Sequence, residues 1–89
     1  MEARVMRLLR MKHRITRKEL GDACRLSAQR ISELELGTGH LTPETCGKVR
    51  SAFETVIDQR EAALTLLRQD YQKYRGELLT PVEETEYEL

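Results

Sequence analysis

Residues 15–37 read ITRKELGDACRLSAQRISELELG, and their pattern of apolar and polar positions decides the fold. Apolar side chains recur at helical spacing on both sides of a short break at residues 25–26. So short a break leaves room only for a tight crossing of two helices. Gly21 suits such a crossing because it brings no side chain to the contact. The apolar positions are Ile15, Leu20, Cys24, Leu26, Ile31 and Leu34.

A hydroxyl residue stands immediately before each of these two predicted helices. Thr16 precedes a helix over 17–24, and Ser27 precedes a helix over 28–36. Ser and Thr are favoured at this position because their oxygen accepts a hydrogen bond from a free backbone amide. Glu19, three residues after Thr16, matches the spacing of a capping box. The segment therefore predicts two capped helices joined by a tight turn.

Helices are also predicted on both sides of this pair. The first should span 2–13, and its expected inward side chains are Val5, Leu8, Leu9 and Met6. Another should begin at Thr42 and Pro43, an N-cap followed by the residue type favoured at the first helical position. No proline interrupts the chain from there to Arg75. This helix either continues past the domain or bends near Thr55.

Residues 4–57 resemble the lambda-repressor/Cro (XRE) family of helix-turn-helix regulators. The resemblance implies an all-α, five-helix domain that binds double-stranded DNA and regulates transcription. In this chain Arg25 replaces a common turn glycine, and a left-handed backbone there would cost about 1 kcal/mol. Glu54 stands where the family often ends its fourth helix with glycine. The residues that carry the resemblance are Arg10, 16–21, 27–35 and Gly37.

The resemblance assigns base reading to the helix at 28–36. Family positions matching Ala28, Gln29 and Glu33 commonly touch base edges. A glutamine amide can pair bidentately with adenine, an arginine reaches guanine or a phosphate, and a carboxylate accepts from cytosine. The alternative for each residue is a solvated helix face. The expected base contacts are Ser27, Ala28, Gln29, Arg30 and Glu33.

Phosphate contacts are expected from the start of the helix at 17–24, where free amides and the helix dipole favour an anion. The resemblance further implies a semi-buried ion pair between Arg10 and Glu35. The alternative is two surface charges worth under about 1 kcal/mol. The expected phosphate contacts are Arg14, Thr16, Arg17, Ser32, Thr38, His40 and Thr42.

Charge is divided unevenly along the 89 residues. Residues 1–50 carry eleven Lys and Arg against six Asp and Glu, a net charge of +5. Residues 51–89 carry four against nine, a net charge of −5. A basic half joined to an acidic half indicates that one end meets phosphate and the other does not. Chance clustering on solvated faces is the alternative.

Other classes of protein find little support in the sequence. The two cysteines, Cys24 and Cys46, make no disulfide framework, and the two histidines are too distant to complete a metal site. No nucleophile–base pair or phosphate-cradling glycine loop stands out, so neither an enzyme nor a cofactor is expected. Without a secretory signal or a long apolar run, we expect no membrane contact and a cytoplasmic protein on a bacterial or phage nucleoid.

A second pattern follows Arg50, where apolar residues recur every seven positions. Such a stripe is typical of a coiled-coil seam and predicts a homodimer. The alternative is a helix that folds back on its own domain, which the sequence leaves open for Phe53, Val56 and Ile57. The a positions are Ile57, Leu64, Tyr71 and Leu78, the d positions are Phe53, Leu67 and Tyr74, and Arg60 interrupts the series.

The sequence thus predicts three segments: a DNA-binding domain over 1–55, a dimerisation helix over 56–79 and an acidic, disordered tail over 80–89. The resemblance implies a dimer on a palindromic operator, with half-sites about 34 Å apart. A repressor is favoured over an activator, because occupancy alone can block a promoter. The alternatives are an antitoxin-like module that binds a partner protein through the C-terminal helix, and an architectural DNA binder without sequence preference.

Overall fold

The computed structural model describes residues 3–38 and 40–83, and the regular elements in these ranges are α-helices, without strands. The all-α class expected from the sequence is confirmed. The helices are α1 (Val5–Lys12), α2 (Arg17–Cys24), α3 (Ala28–Leu36) and α4 (Pro43–Tyr74). The chain divides into a first unit that ends at Asp58 and a second that begins at Gln59.

The expectation of five helices is not confirmed, since four occur in the described part of the chain. The fourth continues for 32 residues and passes through Thr55 without a break. After Gly47 this stretch contains neither glycine nor proline. Position 54 is Glu, a good helix former, so nothing in the local sequence ends the helix there.

The core of the first unit gathers apolar side chains from all its helices. Ile15, Leu20, Ile31, Ala52 and Val56 form the buried cluster, and Leu34 is also fully buried. Met6, Ala23, Cys24, Leu26 and Phe53 pack against it. Phe53 and Val56 therefore pack in the core of their own domain, as expected if this helix folds back on the domain. Ile57, the third residue of that alternative, is about half exposed.

The inward face expected for α1 was wrong for Val5, Leu8 and Leu9, which are exposed, and is confirmed for Met6. Val5 is 77% exposed and Leu8 is 63% exposed, whereas Arg10 is buried. Arg10 points inward because it forms an ion pair with a carboxylate of α3. Met6, one turn before Arg10, shares that face and contacts the core. An ion pair, which hydrophobic periodicity does not register, sets the rotation of this helix.

The turn between α2 and α3 brings the two backbones close together. A Cβ added to Gly21 would overlap the carbonyl oxygen of Leu26 and lie 3.3 Å from its carbonyl carbon. Arg25 adopts a left-handed backbone, with φ 60° and ψ 37°. The Leu26 amide then donates to the Gly21 carbonyl oxygen at 2.9 Å. Glycine at position 21 is thus required by space rather than by its own dihedral angles.

The predicted N-caps are confirmed. Thr16 Oγ1 accepts from the Glu19 amide at 2.9 Å, and Ser27 Oγ accepts from the Arg30 amide at 3.0 Å. Thr42 Oγ1 likewise accepts from the Thr45 amide at 3.1 Å at the start of α4. Each hydroxyl satisfies an amide that has no partner within its helix.

The second unit contains the C-terminal part of α4 and the turns that follow it. The Glu77 amide donates to the Tyr74 carbonyl oxygen at 2.8 Å, and the Thr80 amide to that of Glu77 at 3.0 Å. Of the predicted acidic tail, residues 84–89 lie outside the described residues. None of the described helices combines the length and apolar character needed to cross a membrane.

Candidate nucleic-acid interface

Helix α3 is anchored along one face and open at its start. Ile31 and Leu34 are fully buried, while Ser27, Ala28 and Gln29 are exposed. Because residues three apart lie on one side of a helix, the two anchors fix its rotation against the core. The first turn of α3 therefore faces solvent from a rigid support.

The start of α2 presents a second polar surface in the same unit. Thr16 is exposed there, and its hydroxyl caps the helix. Lys18 Nζ lies 2.7 Å from Asp22 Oδ2, and this hydrogen bond raises the pKa of the Lys18 ammonium. Lys18 therefore stays cationic to higher pH than an unpaired lysine. Arg17, between these residues, is half-buried.

Glu35 is a fully buried carboxylate surrounded by guanidinium groups. Arg10 Nε donates to Glu35 Oε2 at 2.6 Å, and Arg10 Nη2 donates to Oε1 at 3.1 Å. A third donor of Arg10, Nη1, reaches the Ile15 carbonyl oxygen at 3.0 Å. The resemblance implied this pair; the structure places it in the core, where a bidentate contact offsets the cost of desolvation.

Two further arginines approach the same carboxylate. Arg7 Nη1 lies 3.6 Å from Glu35 Oε1, and Arg17 Nε lies 3.7 Å from it. Three guanidinium groups around one carboxylate leave the cluster with a net charge of +2. Arg7 could have been anticipated, because it precedes Arg10 by three residues on the same helix. The proximity of Arg17 to Glu35 joins α2 to the end of α3, and no local sequence pattern indicates such a contact.

The segment after α3 begins with a left-handed Gly37, whose φ is 74°. The Gly37 amide donates to the Leu34 carbonyl oxygen at 3.4 Å, and the Thr38 amide to that of Glu33 at 3.0 Å. This pair of bonds is a Schellman motif, which satisfies carbonyl groups at the helix end. The amide of Thr38 is therefore already used within the protein.

Arg30 connects α3 with the loop that joins α3 to α4. Its Nη2 donates to the His40 carbonyl oxygen at 3.0 Å, and its Nη1 lies 3.5 Å from Glu33 Oε2. Two residues expected to read bases thus contact each other, and one of them also contacts a residue expected to bind phosphate. The sequence offered no signal for this contact, because its partner is a backbone carbonyl ten residues away.

The other expected phosphate contacts differ in exposure. His40 and Thr38 are exposed, whereas Ser32 and Thr42 are half-buried. Arg14 is exposed and occupies a left-handed turn position with φ 55°. All of these residues belong to the first unit, as do α2 and α3.

The expected dimer stripe behaves differently along α4. Ile57, Leu64, Leu67 and Tyr71 are more than half exposed, and Tyr74 is partly buried. Leu78 lies beyond the end of the helix at Tyr74, so it does not continue the helical stripe. The helical part of the stripe in the second unit is thus Leu64, Leu67, Tyr71 and Tyr74.

A short capped helix, a tight turn and a following helix with a buried inner face and an open start define a helix-turn-helix DNA-binding domain. The helix-turn-helix family model of the XRE type matches residues 6–56, more than half of the chain. The protein therefore belongs to this family, as the sequence resemblance suggested. No curated protein and no solved structure matched the chain significantly.

Membership assigns the protein to a family of DNA-binding transcription regulators. Members of this family are typically not enzymes. Across the residues that the structure describes, no group of three or more His, Cys, Asp or Glu side chains could hold a metal ion. The surface formed by the starts of α2 and α3 and by the exposed residues Thr38 and His40 is therefore the candidate DNA interface.

Proposed function

We propose that the protein is a homodimeric repressor that binds a palindromic operator, with α3 of each subunit in the major groove. The observation that carries this proposal is the geometry of α3. Its inner face is fully buried at Ile31 and Leu34, while its first turn is exposed. A helix held in this way can present side chains to base edges without moving relative to its domain.

Gln29 is the principal base reader in this proposal. Its side chain is exposed and makes no hydrogen bond to any described residue. Its amide is therefore free to pair with the N6 and N7 groups of adenine. Ala28 offers a methyl contact to thymine, Ser27 a hydroxyl, and Glu33 an acceptor for cytosine that Arg30 partly neutralises.

Phosphate binding follows from the positive cluster and the start of α2. The cluster around Glu35 carries a net positive charge, and Arg17 belongs to it. Backbone amides and the helix dipole add positive potential at the start of α2, beside Thr16. The other proposed phosphate contacts are Arg14, Ser32, Thr38, His40 and Thr42.

Dimerisation is proposed through the exposed apolar residues of α4. Leu64, Leu67 and Tyr71 repeat at the spacing of a coiled-coil seam and are each more than half exposed. Paired subunits would read two half-sites about 34 Å apart. Repression then requires only that the dimer occupy a promoter.

Selection of bound duplexes from a random DNA library at near-physiological salt tests this proposal. We expect enrichment of a two-fold palindrome by the wild-type protein. Gln29→Ala should lose preference at one position of each half-site, whereas Gln69→Ala, the same change on exposed α4, should select the wild-type sequence. No enrichment by a protein with native helix content would contradict the proposal. If the wild type and Gln29→Ala both bind DNA without sequence preference, the protein is an architectural DNA binder.

A second candidate function is antitoxin-like capture of a partner protein by the C-terminal half of α4. The exposed leucines at positions 64, 66 and 67 favour it, because together they offer more apolar surface than one seam needs. Gln29→Glu would separate the functions by placing a negative charge on the open start of α3. Operator binding should fail while a protein partner is still captured. Charge reversal at Arg17 suits this test poorly, since it would set a carboxylate beside buried Glu35.

A further inference from the structure

Arg30 links α3, the proposed recognition helix, to His40 in the loop that joins α3 to α4. Its Nη2 donates to the His40 carbonyl oxygen at 3.0 Å while its Nη1 lies 3.5 Å from Glu33 Oε2. A guanidinium presents its donors in a rigid planar fork, so two partners together fix its orientation. One half-buried side chain of α3 thereby holds the backbone at His40.

The ends of this loop have their own supports. Thr38 is held to α3 by its amide bond to the Glu33 carbonyl oxygen. Thr42 is held to α4 as its N-cap. The bond from Arg30 to His40 acts between these two points. Loss of the Arg30 side chain would therefore release the backbone at His40, while Thr38 and Thr42 keep their own hydrogen bonds.

We infer that Arg30 is a positioning residue: it holds the loop against α3 so that both meet the same DNA backbone, and it does not itself read a base. The contacts with the His40 carbonyl oxygen and with Glu33 use two of the five guanidinium donors and orient the group towards the loop, which favours a positioning role over the reading of a base. The DNA-binding part of this inference rests on the proposed function. The part concerning the loop rests on the contacts of Arg30 alone.

Backbone NMR relaxation in the DNA-free protein tests the loop contact directly. In Arg30→Ala, the order parameters of the His40 and Leu41 amides should fall from about 0.85, typical of rigid backbone, towards about 0.6. The Thr38 amide serves as an internal reference, because its bond to the Glu33 carbonyl oxygen does not involve Arg30. Arg25→Ala, which removes an exposed guanidinium from the α2–α3 turn, is the matched control and should leave these order parameters unchanged. Unchanged order parameters at His40 and Leu41 in Arg30→Ala would overturn the inference.

Affinity for the selected operator and its single-base variants tests the consequence for DNA. Arg30→Ala should weaken binding to every duplex by a similar factor and keep the order of base preference. Its salt dependence should match the wild type, whereas loss of a phosphate contact lowers the slope by about one. Loss of about ten-fold or more discrimination at one base pair would identify Arg30 as a reader and overturn the inference.

Arg30→Lys separates position from charge. Lysine keeps the positive charge, but its single nitrogen cannot reproduce the planar contact with both Glu33 and His40. We expect it to share part of the loop mobility and part of the affinity loss of Arg30→Ala. Full affinity with a mobile loop would show that charge alone matters, which overturns the inference. If the wild type selects no DNA sequence, the proposed function fails, yet the order parameters still decide whether Arg30 holds the loop.

Discussion

At the scale of single residues, Glu35 is the most constrained side chain in the first unit. A carboxylate with no exposed surface is tolerated only when charged donors replace the water it has lost. Arg10 supplies two such donors directly, and Arg7 and Arg17 add positive potential at 3.6 and 3.7 Å. Helices α1, α2 and α3 therefore share one electrostatic contact, and its loss should affect all three.

Arg10→Ala should lower the free energy of unfolding by about 3 kcal/mol or more, because it leaves Glu35 buried without its bidentate partner. For a domain of this size the melting temperature should fall by about 12 °C or more. Thermal unfolding followed by circular dichroism measures the change. Lys18→Ala is the matched control: it removes a cation from an equally short but exposed ion pair. Equal shifts for the two variants would show that burial of the Arg10 pair adds nothing.

The Cys24 thiol provides a second prediction for a single residue. Burial raises the pKa of this thiol, and its Sγ lies 3.4 Å from the Leu20 carbonyl oxygen. The thiolate is the reactive form, so alkylation at pH 8 should be slower in the folded protein than in denaturant. A Cys46→Ser background leaves Cys24 as the thiol that reacts. The folded protein should also need a higher pH for half-maximal rate, and equal profiles in both states would contradict the prediction.

At the scale of helices, the crossing of α2 and α3 depends on one missing side chain. Gly21 lies against the Leu26 carbonyl group, which belongs to the rigid turn that leads into α3. A methyl group there would push the two helices apart. The spacing of α3 from α2 thus depends on a residue in the middle of a helix, where glycine is otherwise unfavourable.

Gly21→Ala should destabilise the protein by about 1–3 kcal/mol, although alanine is the better helix former. Gly47→Ala is the matched control, because a Cβ at Gly47 meets nothing within 4 Å inside α4. That change should stabilise the protein by about 0.5–1 kcal/mol. Urea unfolding of both variants gives the two signs. A stabilised Gly21→Ala protein would show that the crossing has room for a side chain.

The sequence predicts where the helices begin and end better than which side of each helix is buried. The bounds of α2 and α3 follow from their caps and from the break at 25–26, which are local signals. The rotation of α1 depends on Arg10 and on a carboxylate 25 residues away, so apolar spacing gave the wrong face. The sequence left open whether α4 continues past the domain or bends near Thr55, and the structure shows a continuous helix.

At the scale of the whole molecule, charge and apolar surface are separated along the chain. The first 50 residues carry a net charge of +5 and include the candidate DNA interface. The remaining residues carry −5 and include the exposed leucines of α4. An acidic surface is repelled by the DNA backbone, so the C-terminal part is suited to a protein contact.

Leu67→Glu should shift the protein towards monomer, because position 67 lies in the proposed seam and a carboxylate there would lose its hydration. Leu66→Glu is the matched control: Leu66 is 60% exposed and Leu67 62%, yet position 66 lies outside the a and d series. Sedimentation equilibrium measures both association constants. Equal weakening by the two changes would argue against a seam at positions 64, 67 and 71.

The candidate interface was only partly predictable from the sequence. The exposed start of α3 follows from its cap and anchors, which are local features. The contacts of Arg17 with Glu35 and of Arg30 with His40 arise from tertiary packing. They show that two arginines expected to face DNA also support the domain, a double role that composition and spacing do not encode.

The open first turn of α3 also bears on how such a regulator diversifies. Ala28 and Gln29 are exposed, and neither belongs to the buried cluster, an N-cap or the ion pairs of Glu35. Mutation can therefore change them at little cost to folding, whereas substitution of the buried anchors Ile31 and Leu34 would destabilise the domain. If Ala28 and Gln29 read bases as proposed, one or two substitutions would give a duplicated copy of the gene a new DNA target. The residues proposed to choose the DNA sequence can thus change independently of the residues that hold the fold.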